Sequence, residues 1–169
     1  MKFAIFALAL TLTTSAFSQT TNTGWTLSEI KDKEKTTVGF IYHTAAIGTA
    51  ETKPVQKSVT GLRLVCSTRG GSPAIAIYWN GTNFSGPESV TTEVDGKPFG
   101  NSSQEWRQDT NLTYRELDES RPLLQALRTG RTVKFSWTGK DSVRRATMFS
   151  LSGFNSRLSE FSTACKVSL

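Results

Sequence analysis

FSLSGFNSRLSEFSTACK, residues 149–166, reads as a strand running into a short amphipathic helix that ends on a cysteine. Phe154, Leu158, Phe161 and Cys165 are spaced four, three and four apart, which places them on one helical face. A stripe of that kind has to pack against something apolar. The other cysteine, Cys66, falls in LRLVCS, where Leu62, Leu64 and Cys66 alternate with Arg63 and Val65. Period-two alternation gives the cysteine the inward side of a strand, shared with two leucines. A bond between Cys66 and Cys165, 99 positions apart, would staple the terminal helix to that strand.

Whether two thiols form such a bond depends on the compartment. Residues 1–18, MKFAIFALALTLTTSAFS, carry one basic residue, Lys2, then an apolar run from Phe3 to Leu12, then small polar residues ending in Ala16-Phe17-Ser18. This is the pattern of a secretory signal peptide. A membrane helix needs roughly 18–20 uninterrupted apolar residues, and nothing else in the chain comes close, so no membrane span is expected. Cleavage after Ser18 would leave residues 19–169 as a single secreted β-rich domain in the periplasm or outside the cell. Oxidising conditions there favour a Cys66–Cys165 disulfide, and closing so long a loop removes about 4–5 kcal/mol from the unfolded ensemble in the chain-entropy model.

The rest of the chain alternates. Trp25 to Ile30 can form a first strand; Val38, Phe40 and Tyr42 share a face; Ile75, Ile77 and Trp79 share another before Asn80-Gly81. The strands through Cys66 and through Ile77 should pair as a hairpin. Ser89 to Val94 closes on Asp95-Gly96, a tight-turn dipeptide. Further strands are expected at Gln104 to Gln108, Leu112 to Arg115, Thr132 to Trp137 and Ala146 to Leu151. AAIGTAETKPVQKSVTG, residues 45–61, has little apolar periodicity and reads as a long exposed connection. A first helix is signalled by Ser120 as cap, Pro122 in the opening turn, a stripe of Leu123, Leu124 and Leu127, and Gly130 as stop. The fold class is therefore mainly β, an antiparallel β-sandwich or meander with two short α-helices, one packed on the sheet through the disulfide.

Composition narrows the chemistry. With a single histidine, His43, and no glycine-flanked nucleophile, a serine or cysteine hydrolase lacks its base. Two cysteines and one histidine do not make a zinc site; the acids are scattered or interleaved with bases, which does not suit calcium. No metal and no cofactor are expected. A glycosidase needs only two carboxylates, and Glu88, Glu93, Asp95, Glu105, Asp109, Glu116, Asp118 and Glu119 leave that class open. The formal net charge of +6 favours anionic partners weakly. Arg144-Arg145, near Arg128, Arg131 and Lys134, is the densest basic neighbourhood, while Tyr78-Trp79 and Trp106-Arg107 could stack something planar. Nucleic acid would need a more concentrated basic face; an anionic envelope polymer or a protein surface fits an exported chain better. Asn80, Asn83, Asn101 and Asn111 each begin an Asn-x-Ser/Thr triplet and read as turn asparagines.

Five stretches in order, TGWTLSEIKDKEKTTVGF, LRLVCSTRGGSPAIAIYW, SVTTEVDGKP with EWRQD, PLLQALRTGRTVKFSW and ATMFSLSGFNSRLSEFSTAC, are similar to the VasI-like periplasmic accessory proteins associated with type VI secretion. The chain departs from that pattern at Glu93, where arginine is typical, and at Lys166-Val167, where a tryptophan usually follows the last cysteine. The resemblance implies a non-enzymatic accessory role in which an envelope or secretion-apparatus protein is the partner. Trp106, Arg107, Arg144 and Arg145 are the candidate binding residues. Two other classes stay open: an inhibitor or immunity-type protein contacting its target through Ala45 to Ser58 or Asn80 to Pro87, and a small cell-wall glycan hydrolase.

Overall fold

The computed structural model describes residues 24–51, 60–79, 89–109, 112–138, 142 and 144–169. The expected leader, residues 1–18, lies outside the described residues, as do Asn80, Asn83, Asn111, Glu88 and the whole of Asn80 to Pro87.

Among the described residues, eleven strands and two α-helices follow in order. The first five strands are β1 (Thr26–Lys31), β2 (Thr37–Ala45), β3 (Gly48–Glu51), β4 (Thr60–Ser67) and β5 (Ala74–Trp79). Then come β6 (Ser89–Val94), β7 (Lys97–Glu105), β8 (Arg107–Asp109) and β9 (Leu112–Glu116). Helix α1 (Arg121–Thr129) leads to β10 (Thr132–Thr138) and β11 (Arg144–Ser150), and α2 (Leu158–Cys165) closes the fold. One sheet has six strands in the order β1-β2-β4-β5-β9-β8; the other has five in the order β3-β11-β10-β6-β7. All pairings are antiparallel.

Alternation decides what lies between the sheets. Tyr42, Leu62, Leu64, Ile75 and Ile77 from the six-stranded sheet are buried with Val90, Val133, Phe135 and Phe149 from the five-stranded one. Leu123, Leu124 and Leu127 of α1 and Phe161 of α2 enter the same cluster. Each such side chain contributes about 1.5–3 kcal/mol relative to exposure, most of it offset by lost conformational entropy. Trp25 packs on Tyr42 and Phe154, with ring centroids 4.9 and 4.7 Å away, and its indole N–H donates to the Ser150 carbonyl at 3.2 Å. The Tyr42 hydroxyl reaches the Phe154 carbonyl at 2.5 Å. These polar ties satisfy groups that would be costly to bury alone.

The disulfide joins Cys66 of β4 to Cys165 of α2, with Cα atoms 5.9 Å apart. The stripe that carries it is not one continuous helix. Phe154–Arg157 forms a 3-10 turn after Gly153, and the α-helix begins only at Leu158. The face survives the change because residues three and four apart still fall on the same side.

Several expectations need correction. Residues 45–61 are not all connection, since Gly48–Glu51 pairs with β11 at the edge of the five-stranded sheet. An edge strand held by main-chain bonds requires no apolar alternation, so the pattern gave no warning. Gln104 to Gln108 is not one strand: β7 belongs to one sheet and β8 to the other, and the chain crosses between them at Trp106. Ser120 stands at the cap position of α1, but its buried hydroxyl makes no capping bond, because a 3-10 turn at Asp118–Ser120 already leads into the helix. Gly130 ends α1 as expected, for a steric reason: a Cβ there would come within 2.6 Å of Val94.

Asp95-Gly96 is the two-residue turn between β6 and β7, both residues having positive φ, 51° and 74°. The Asp95 carboxylate also accepts from the backbone N–H groups of Thr132 at 2.8 Å and Arg131 at 2.9 Å, tying the turn to the start of β10. Those bonds hold its pKa below the usual carboxylate range.

Candidate functional site

The four candidate binding residues are not brought together. Trp106 is 4% exposed and packs edge-on against Phe135, centroids 5.6 Å apart. As the residue where the chain passes between sheets, it lies in the core and presents no surface. Arg107 is exposed at the edge of the six-stranded sheet, where it is already ion-paired with Glu116 and Glu119. Those carboxylates hold its pKa above its ordinary value. Arg144 is exposed and Arg145 follows it at the start of β11, in the other sheet.

Of the carboxylates considered for glycoside chemistry, the five whose side chains are described are engaged in ties of their own. Glu93 pairs with Lys134 at 3.1 Å, Asp118 with Arg121 at 3.0 Å, and Asp95 holds the start of β10. Glu116 and Glu119 converge on one guanidinium rather than on a cleft. Among the described residues no group of His, Cys, Asp and Glu could hold a metal ion, and no helix is long and apolar enough to cross a membrane. A shallow cleft of about 250 Å³ lies between α1 and α2, lined by Arg128, Asn155, Ser159 and Ser162 with Leu158 and Leu169. Part of its polar lining is used internally, as the Asn155 amide donates to the Arg128 carbonyl at 2.8 Å.

The distinctive surface is the outer face of the six-stranded sheet. Strand register lays one row across all six strands: Thr26, His43, Arg63, Ala76, Tyr114 and Arg107. With strands about 4.8 Å apart, that row runs roughly 24 Å. A parallel row holds Ser28, Ile41, Val65, Ala74 and Glu116, and another holds Gly61, Tyr78 and Leu112. Solvent-facing positions of an antiparallel sheet are normally polar. Here Ile41, Val65 and Leu112 are half-buried, and Ala76 is fully covered although it faces outward.

Arg63 lies along this face. Its guanidinium lies 3.8 Å from the centre of the Tyr78 ring, and its side chain passes over Gly61, where an ideal Cβ would stand 3.8 Å from the Arg63 Nε. That Nε is buried and has no hydrogen-bond partner among the described residues. Burial pulls the Arg63 pKa down from its ordinary value. His43, directly across on β2, has its pKa lowered by burial first and by the charge of Arg63 second, so it is neutral at neutral pH.

Sequence reasoning did not select Arg63. The signal was present in part, since Arg63 alternates with Leu62 and Leu64 and Tyr78 with Ile77, which puts both on the outer side. Tyr78 does stack a planar group, and that group is the chain's own arginine. Their adjacency depends on the β4–β5 register, in which Gly61 faces Tyr78. Compared with family models, curated proteins and solved structures, the chain matches none of them.

Proposed function

We propose that this chain is an exported accessory protein of the bacterial envelope that works by binding another protein through the outer face of its six-stranded sheet. The observation that carries the reading is the half-buried Arg63 stacked on Tyr78, on a sheet face that also carries Ile41, Val65 and Ala76. Buried arginine and tyrosine beside apolar neighbours are the residue types that concentrate binding energy at protein interfaces. The intramolecular disulfide supports an oxidising compartment. The resemblance to the VasI-like accessory proteins gives the proposal its setting, with a component of a type VI secretion apparatus as the partner.

Photo-crosslinking in the native host tests this reading. A benzophenone amino acid placed at Tyr114 or His43 should capture one defined envelope protein, whereas the same probe at Thr91 or Thr138, on the other sheet, should not. Capture from the second pair alone, or from neither, would remove the proposal.

A further inference from the structure

Arg63 differs from the ion-paired cations among the described residues in what neutralises it, and from half-buried Arg115, which donates to the Glu119 carbonyl at 3.4 Å. Arg69 pairs with Asp32, Arg107 with Glu116 and Glu119, Arg121 with Asp118, Lys134 with Glu93 and Arg157 with Glu160. Arg128, Arg131 and Arg144 are exposed, so water solvates them. Arg63 is half-buried, and no carboxylate whose side chain is described pairs with it. A guanidinium stacked on a ring still presents donors in its own plane, in the fork geometry that matches a carboxylate. The neighbours on the sheet, Ile41, Val65, Ala76 and neutral His43, offer such a carboxylate few competing charges.

We infer that the Arg63–Tyr78 stack is a socket for one aspartate or glutamate side chain of the partner, presented with apolar residues on either side of it. The inference rests on the protein-binding reading above. A single acid fits better than a polyanion because the same face carries Glu116, which already neutralises Arg107 together with Glu119. A linear polyanion crossing the row from Arg63 to Arg107 would meet those two carboxylates at its far end. An apolar surround also strengthens one well-placed ion pair, since screening by water is weaker there.

A display library of random peptides, fused through their C-termini so that no free terminal carboxylate is offered, provides the test. Selection on the purified wild-type protein should enrich peptides that share one Asp or Glu flanked by apolar residues. A synthetic peptide of the winning sequence should bind Arg63→Met about tenfold or more weakly than wild type. The peptide with its acid changed to the amide should lose a similar factor, and the two losses should not add. Thermal melts of Arg63→Met and Ile41→Lys matching wild type would show that both variants fold.

Enriched peptides without a shared acid, or equal binding to Arg63→Met, would overturn the socket. So would heparin binding of comparable strength with a steep salt dependence. If Ile41→Lys abolishes binding while Arg63→Met does not, the face stands and the socket falls. If neither variant matters, the face itself is wrong.

Discussion

Leu64 and Val65 are neighbours in sequence and opposite in fate. Leu64 points inward, 1% exposed, into a core shared with the other sheet and both helices. Val65 points outward beside Ile41 and keeps part of its surface in water. Both faces of the six-stranded sheet carry apolar residues. On the inner face the second sheet, the helices and the disulfide use them up, whereas on the outer face they surround a stacked arginine that no described carboxylate neutralises. The inner face therefore accounts for stability, and the outer one carries the partner binding proposed above.

The largest test of that division is at the staple. Replacing both Cys66 and Cys165 by serine should lower stability by up to about 4–5 kcal/mol, lowering the thermal midpoint by about 10 °C or more. Calorimetry of oxidised wild type beside the double variant reads it. An unchanged midpoint would mean that the Leu158–Phe161 stripe docks α2 unaided.

Next in size is the neighbour pair. Leu64→Ala should cost about 2–5 kcal/mol through the cavity it leaves, and Val65→Ala less than about 1 kcal/mol. Denaturant titration of the two variants compares them directly. Equal losses would abolish the distinction between the faces.

The two outer faces can be contrasted with charge. Lys134→Met on the five-stranded sheet breaks a half-exposed pair with Glu93 and should change stability by about 1 kcal/mol or less. It should also leave capture of the partner intact. Arg63→Met should be equally mild in a melt and should reduce that capture. Loss of capture from Lys134→Met alone would move the binding face to the other sheet.

The smallest effect is a pH dependence at His43. Its folded pKa lies below the ordinary 6.5, because of burial and then Arg63, so the unfolded chain binds the proton more readily. Stability from the neutral imidazole is complete above the unfolded value and is lost as pH falls through the folded one. Between about pH 7 and pH 5, wild type should lose midpoint relative to His43→Gln. Parallel curves would show that His43 titrates freely on the surface.

Much of the inner face was legible in the chain. Alternation at Leu62, Leu64 and Cys66, the spacing from Phe154 to Cys165 and the Asp95-Gly96 turn each follow from local geometry that a short window contains. Trp106 was misjudged because a strand that changes sheets looks, in sequence, like a strand that continues, and an aromatic beside an arginine looks like surface. The short strand Gly48–Glu51 was missed because its stability comes from the main chain of β11, which lies far along the sequence.

By itself the sequence determined which residues shun water and with what period, and hence the strands of the core, the terminal helical stripe and the pairing of two thiols under oxidising conditions. Only the tertiary structure decided register, and register is what lays Arg63 over Gly61 onto Tyr78 and spreads His43, Tyr114 and Arg107 along one row. The physical reason is that periodicity is a property of a single strand. Adjacency across a sheet is set by main-chain hydrogen bonds between strands, which carry no side-chain signature.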